Sequence, residues 1–253
     1  YGTTFINQAF LRFKDIFLRG LSLKIGRFDY NMGQEFQYEK NPKLNWLRNV
    51  RLGQRLVGPF GWSHISRSYD GFQLAYDHNI ANFTTGYYHP TQGGFEIDAM
   101  DTIEDIDLIT AYLTFKESTV IPKGEPGLFY IFYGDDRDAA GRKNIPFVDN
   151  RPLARRNADT HEISIHTAGF HFLESMALGS GIADFFLWVP IQFGDWGNLD
   201  HNAYAYALEA GYQLPQVWGK PWVRIGYFLG SGDEDPGDNE HQTFFQILNL
   251  CFL

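Results

Sequence analysis

The stretch from Leu178 to Leu229 most restricts what this chain can become. Three successive runs alternate strictly. In the first, Ala183, Phe185, Leu187, Val189 and Ile191 share one face, and Asp184, Phe186, Trp188 and Gln192 the other. In the second, Tyr204, Tyr206, Leu208, Ala210 and Tyr212 oppose Ala203, Ala205, Ala207, Glu209 and Gln213. In the third, Val223, Ile225, Tyr227 and Leu229 oppose Trp222, Arg224, Gly226 and Phe228. A strand points successive side chains to opposite faces, so a period of two gives one oily face and one mixed face. Each run has about ten residues, the length a tilted strand needs to cross a bilayer. The pattern predicts an all-β protein, a transmembrane antiparallel up-and-down β-barrel whose mixed face lines the interior.

Composition agrees. No apolar run reaches the roughly 18 residues of a membrane-crossing helix. Aromatics at 17% and 26 glycines suit many strands with aromatic girdles and relieved bends. A net charge of −9 gives no support to nucleic-acid binding, which needs a basic face. A single cysteine, Cys251, excludes an internal disulfide. The chain opens at Tyr1 with no signal peptide, and Asn249–Leu253 lacks the aromatic-ended strand expected to close a bacterial barrel. Residues 1–253 are therefore expected to form a single barrel domain truncated at both ends.

Ten strands are expected: Ile6–Lys14, Leu21–Phe28, Ser68–Asp77, Ile80–His89, Ile106–Lys116, Leu128–Gly134, Thr160–Phe172, Ile182–Phe193, Asn202–Gln213 and Trp222–Gly230, with an eleventh near Thr243. Short connections alternate with longer, more polar ones, as they do between the two ends of outer-membrane barrels. The longest, Asp29–Arg67, carries a helix signal. Asn41 offers an N-cap, Pro42 a first helical residue, and Leu44, Leu47 and Val50 recur at helical spacing. Arg48, Arg51 and Arg55 fall close together on the face of such a helix.

Several segments resemble the bacterial alginate-export family of outer-membrane porins. They are Leu23–Arg27, Trp46–Phe60 with its spaced arginines and Arg-Leu-Val-Gly-Pro-Phe core, Arg67–Phe72, and Ser231–Asp238 followed by Thr243–Gln246. The resemblance spans most of the chain. It implies an 18-stranded monomeric barrel in the outer membrane of a Gram-negative bacterium, passing an anionic polysaccharide. About ten strands are visible here, so either strands are missing at both ends or this is a smaller barrel than its relatives.

A polyuronate carries one carboxylate per sugar, so its conduit needs fixed positive charge. Arginine supplies it, staying charged and gripping carboxylates with two prongs. The expected pore residues are Lys24, Arg27, Arg48, Arg51, Arg55, Arg67 and Arg224. Arg27 shares the parity of Ile25, so it turns inward only through a bulge or above the bilayer. Asp184, Glu209 and Glu162 on mixed faces are placed to pair with these cations and weaken the grip on cargo. The plainer reading is interior charge neutralisation, or a solvated helix face for Arg48, Arg51 and Arg55. Trp188 and Phe186 either stack on sugars or fill the lumen. Tyr87, Tyr88, Tyr130, Tyr133, Tyr204, Tyr212 and Trp222 read as girdle aromatics.

Other chemistry is weakly signalled. Asp233, Asp235, Asp238 and Glu240 form a weak cation candidate, interrupted by Pro236-Gly237, with a solvated loop favoured. Asp135, Asp136 and Asp138 have the same reading. His161, His166 and His171 recur every five residues and so alternate faces. Glu162, Ser164 and His166 share a face, but residues two apart on one strand do not build a catalytic triad. No enzyme, cofactor or nucleic-acid partner is expected. The partners expected are outer-membrane lipid, an anionic saccharide or small organic anion, and periplasmic export proteins. The rival functions are a general or aromatic-solute uptake porin and a soluble all-β carbohydrate-binding protein.

Overall fold

The structure, a computed structural model, describes residues 4–248 except 39, 54, 60, 62–64, 95–97, 138–141 and 143–147. Asp138 and the 249–253 tail lie outside the described residues. Ten strands form one antiparallel meander: β1 (Ala9–Lys14), β2 (Leu21–Phe28), β3 (Tyr69–Asp77), β4 (Ala81–Pro90), β5 (Ile106–Phe115), β6 (Gly124–Asp135), β7 (Ile163–Leu178), β8 (Gly181–Trp196), β9 (Leu199–Gln213) and β10 (Trp222–Gly230). Each strand pairs with its sequence neighbours. Among the described residues β1 and β10 do not pair, so the sheet is open rather than a closed barrel. A two-residue β11 (Glu240–His241) runs parallel to β9.

The register separates the two faces. One lateral row reads Ile25, Phe72, Tyr87, Ile109, Phe132, His166, Phe193 across seven strands. The adjacent row, on the other face, reads Lys24, Gln73, Gly86, Thr110, Ile131, Thr167, Gln192, Ala203. The oilier face is the exposed one. Val223, Ile225 and Tyr227 are 74%, 75% and 57% exposed, and Ile25, Phe72, Ile109, Leu128, Ile191 and Leu208 are also open. The polar and small residues Thr110, Thr167, Gln192, Ala205 and Ala207 are buried. That face also buries apolar residues such as Tyr88, Leu108, Tyr133 and Ile165, so what sets this sheet apart from a water-soluble one is the open outer apolar rows.

The inner face is buried because two segments fold onto it. One is the long β2–β3 connection. Its helix α1 (Pro42–Trp46) starts as the sequence predicts, with Leu44 N donating to the Asn41 side chain at 3.0 Å and Pro42 at the first turn. It continues as a π-helical turn over Leu47–Leu52, closed by Gly53 N donating to Arg48 O at 2.6 Å. Leu44, Leu47, Leu52, Leu56 and Val57 sit in the core this creates. The second segment brings Phe244, Phe245, Ile247 and Leu248 across the same face. Gln192 fastens it, accepting from Phe245 N at 2.9 Å and donating to Phe245 O at 2.7 Å.

Three inner-face glycines make slots for neighbouring side chains. A Cβ at Gly86 would lie 2.1 Å from the Tyr88 hydroxyl, at Gly127 2.0 Å from the His171 ring, and at Gly169 2.1 Å from the Phe129 ring. Those side chains therefore lie flat along the wall.

Several boundaries differ from expectation: β1 starts at Ala9 and β7 at Ile163, and β6 already at Gly124. β7 runs on to Leu178, because Leu173 and Ser175 continue the buried row past Phe172. β8 and β9 extend to a two-residue turn, Gly197-Asn198, in place of a polar loop over Gly194–His201. Gly197 has φ +64°, which permits the tight reversal. The long-loop side of the sheet is therefore broken by one short hairpin.

Candidate functional site

The inner face carries one concentrated cationic cluster, built where the helical segment meets β8, β9 and β10. Its centre is Glu209 on β9, which has almost no exposed surface. Arg51, projecting from the π-helical turn, grips it with Nε at 2.8 and 3.0 Å and Nη2 at 2.6 Å. Arg55 Nη2 donates to the same carboxylate at 3.2 Å, and Arg224 of β10 donates from Nε at 2.8 Å. Arg224 also binds Asp184 of β8. Lys43 Nζ stands 3.8 Å from Asp184 on the other side. Four cations thus share two carboxylates.

Aromatic rings complete the seat. The Arg55 guanidinium lies 4.7, 5.2 and 5.4 Å from the ring centres of Phe186, Trp188 and Phe228. Lys43 Nζ is 3.6 Å from Trp222, and Arg224 is 5.0 Å from Trp46. Cations over ring faces are attracted by the ring quadrupole, more strongly where water is displaced. These rings hold the cations in place. Phe186 and Trp188 are buried beneath Arg55, so neither is open for a sugar to stack upon. Trp222 faces inward with Arg224 rather than joining a girdle, and Tyr88 and Tyr133 are buried on the inner face. Tyr87, Tyr130, Tyr204 and Tyr212 keep outward parity.

Arg48 departs from its expected neighbours. An α-helix would group it with Arg51 and Arg55. The i→i−5 bonding of the π-helical turn advances each residue by less than the roughly 100° of an α-helix, which changes the face each arginine takes, and Arg48 lies in the core. Wholly buried, it pairs with Glu125 Oε1 at 2.5 Å and Glu35 Oε2 at 3.2 Å. Tyr38 also donates to Glu125 at 2.5 Å, and His171 Nε2 lies 3.4 Å from it. Burial pushes the Glu35 carboxyl above its ordinary range, and the Arg48 guanidinium pulls it part of the way back. Arg48 is the anchor of the helical segment on β6.

The other predicted residues are scattered. Lys24 faces inward as its parity requires, but lies far along the sheet, 4.2 and 4.0 Å from the ring centres of Phe10 and Phe28. Arg27 has no bulge to turn it inward. It stays on the Ile25 face, joined to Asp70 at 2.6 and 2.7 Å and to Thr102 at 2.9 Å. Arg67 is buried among loop carbonyls, donating to Thr91 O at 3.0 Å, Gln92 O at 3.2 Å and Leu248 O at 2.8 Å. Glu162 precedes β7 on the outer parity, exposed beside Asp136, so it does not join Asp184 and Glu209. Asp233, Asp235, Asp238 and Glu240 are exposed or half-exposed and make local turn bonds, such as Glu240 N to Asp238 Oδ1 at 2.8 Å. Among the described residues no three His, Cys, Asp or Glu side chains converge on a metal position.

Lys43, Glu35 and Glu125 escaped the sequence reading. Lys43 had a signal: it follows Pro42 and precedes Trp46 by one helical turn, on the face of the arginine pair. Glu125 had none, since only the fold brings it to Arg48.

A model of the alginate-export family matches residues 3–247. Searches of curated proteins and of solved structures found no match. The segments that resembled that family in sequence, Leu23–Arg27, Trp46–Phe60, Arg67–Phe72 and Ser231–Gln246, all fall inside the matched span. Trp46–Phe60 supplies Arg51 and Arg55 of the cluster, and by a match over nearly its whole length this chain belongs to the alginate-export family.

Proposed function

We propose that these strands are wall segments of an outer-membrane barrel in a Gram-negative bacterium, passively conducting an anionic polysaccharide such as alginate past Arg51, Arg55, Arg224 and Lys43. The carrying observation is the exposed oily face of the sheet. Its outer rows are apolar yet open, and the face behind them holds the cation cluster and buried polar residues such as Thr110, Thr167 and Gln192 among its apolar ones. Hydrocarbon is the solvent for which that arrangement is favourable, and contiguous exposed apolar surface marks such contacts. A bilayer does not tolerate unpaired strand edges, so β1 and β10 are read as pairing with further strands to close one barrel domain. Family membership supports that cargo class. Transport here needs no covalent step: guanidinium groups replace the water lost by a carboxylate, and Asp184 and Glu209 keep the grip shallow. Lipid surrounds the wall, and export proteins of the periplasm are the further partners.

The test is ion selectivity of the full-length protein in planar bilayers. Under a potassium chloride gradient the reversal potential is expected to show anion preference. Replacing Arg51, Arg55 and Arg224 together by Ala reduces it. A pore that prefers cations overturns the reading, and an unchanged preference in the triple variant places the cluster outside the conduit.

A further inference from the structure

Glu209 and Arg51 are 158 positions apart and belong to different parts of the fold, one to the wall and one to the segment folded against it. Their contact is the tightest polar link between those parts on the β9–β10 side. Glu209 spends both oxygens on it: Oε1 receives Arg51 and Arg55, and Oε2 receives Arg51 and Arg224. A carboxylate gripped by several guanidiniums is also what a uronate residue would become on reaching this site. Arg51 is the most open of the three, with 29% of its side chain exposed, whereas Glu209 shows 2%. An incoming anion therefore meets Arg51 from the solvent side, opposite Glu209. Asp184 is bonded differently. It holds Arg224 of the wall and Lys43, with no arginine of the π-helical turn.

We propose that Glu209 is an internal stand-in for the cargo: a wall carboxylate that occupies Arg51 and Arg55 when the conduit is empty, clasps the helical segment, and yields to a uronate carboxylate. The inference rests on the anion-conduit reading and adds a competition to it. One carboxylate replaces another, so the exchange needs no proton and no energy source. The arginines remain paired throughout, which avoids exposing bare charge in a narrow wall. Cargo binding and loosening of the segment become two faces of the same exchange. The Arg48 pairs with Glu35 and Glu125 are untouched, so the segment pivots about a fixed end.

The experiment uses full-length protein and a mannuronate hexasaccharide, with a neutral hexasaccharide as control. Block of small-ion current in planar bilayers measures affinity. Glu209→Gln removes the competitor, and the concentration for half-block is expected to fall about tenfold. Asp184→Asn removes an equal charge without freeing Arg51, so its fall stays within about threefold. Equal falls in the two variants overturn the competition, since charge alone then accounts for both. A second readout needs no current. Spin labels at Val50→Cys and Val217→Cys, in a Cys251→Ser background, report the spacing between the helical segment and the β9–β10 turn. The mannuronate hexasaccharide broadens that distance distribution in the parent protein, and Glu209→Gln is already broad without it. Distributions identical in both proteins, with and without the saccharide, overturn the clasp. A cation-selective pore with a saccharide-sensitive distance would instead reject the conduit reading and keep the clasp.

Discussion

Replacing Arg48 by Met tests whether the helical segment is anchored by charge. Arg48 is wholly buried and serves two carboxylates, Glu125 with no exposed side-chain surface and Glu35 with 2%. The methionine keeps much of the volume and removes the cation. Two carboxylates then remain in a dry interior, and breaking a buried pair from one side costs about 3–5 kcal/mol. The strands keep their ladders, so the loss falls on docking of the segment rather than on the sheet. Trypsin reads this directly, because cleavage after Lys43, next to buried Leu44, requires the segment to leave the wall. Where opening and closing outpace cleavage, the rate follows the open population, and about 3 kcal/mol raises it by roughly two orders of magnitude. Adding Glu125→Gln removes one stranded charge and restores part of the protection, so the two changes are strongly non-additive. Cleavage within threefold of the parent, or a double variant whose effects simply add, refutes the reasoning.

Acid and lipid provide two further checks. Burial pushes the Asp159 carboxyl up, but Arg151 Nη1 at 2.8 Å and the amides of Asn198 and His161 more than reverse this and leave it at about 2. Its folded value lies below that of the free chain, so its contribution of about 2 kcal/mol is complete above about pH 4 and is lost as pH falls towards 2. Urea midpoints measured from pH 6 down to 2 should fall more steeply for the parent than for Asp159→Asn; parallel curves reject the assignment. A spin label at Ile225→Cys, again with Cys251→Ser, should collide more with dissolved oxygen than with a water-soluble nickel chelate in reconstituted vesicles. The opposite ranking would mean that the exposed oily face is not bathed in lipid.

Much of the sheet was written in the period-two pattern. β2 and β10 run over the residues that the alternation marks, and Arg224 takes the face its parity assigns. The pattern failed where local chemistry and strand geometry disagree. Glu174 and Ser175 resemble a turn, yet one points outward and the other continues the buried row of β7. Gly194, with φ +132°, looked like the start of a loop and is a paired strand residue opposite Ile165. The cluster was only partly legible. Arg51, Arg55, Arg224, Asp184 and Glu209 come together, but Arg48 turns away because helix type, not spacing alone, sets direction. Arg67 resembles a pore cation and instead ties loop carbonyls. No spacing in the sequence reports which carbonyl a guanidinium will find.

Under the proposed conduit, the flat-lying side chains at Gly86, Gly127 and Gly169 bear on how closely the helical segment can sit against the wall. A Tyr, His or Phe that reclines in a glycine groove occupies little of the radius, leaving headroom for the helical segment above it. An added methyl at such a glycine would tip the recumbent ring against the segment and push it off the wall without introducing any charge. In the proposed conduit, the seating of the segment and the charge of the cluster would then rest on separate residues of the same wall, so one can be altered while the other is held.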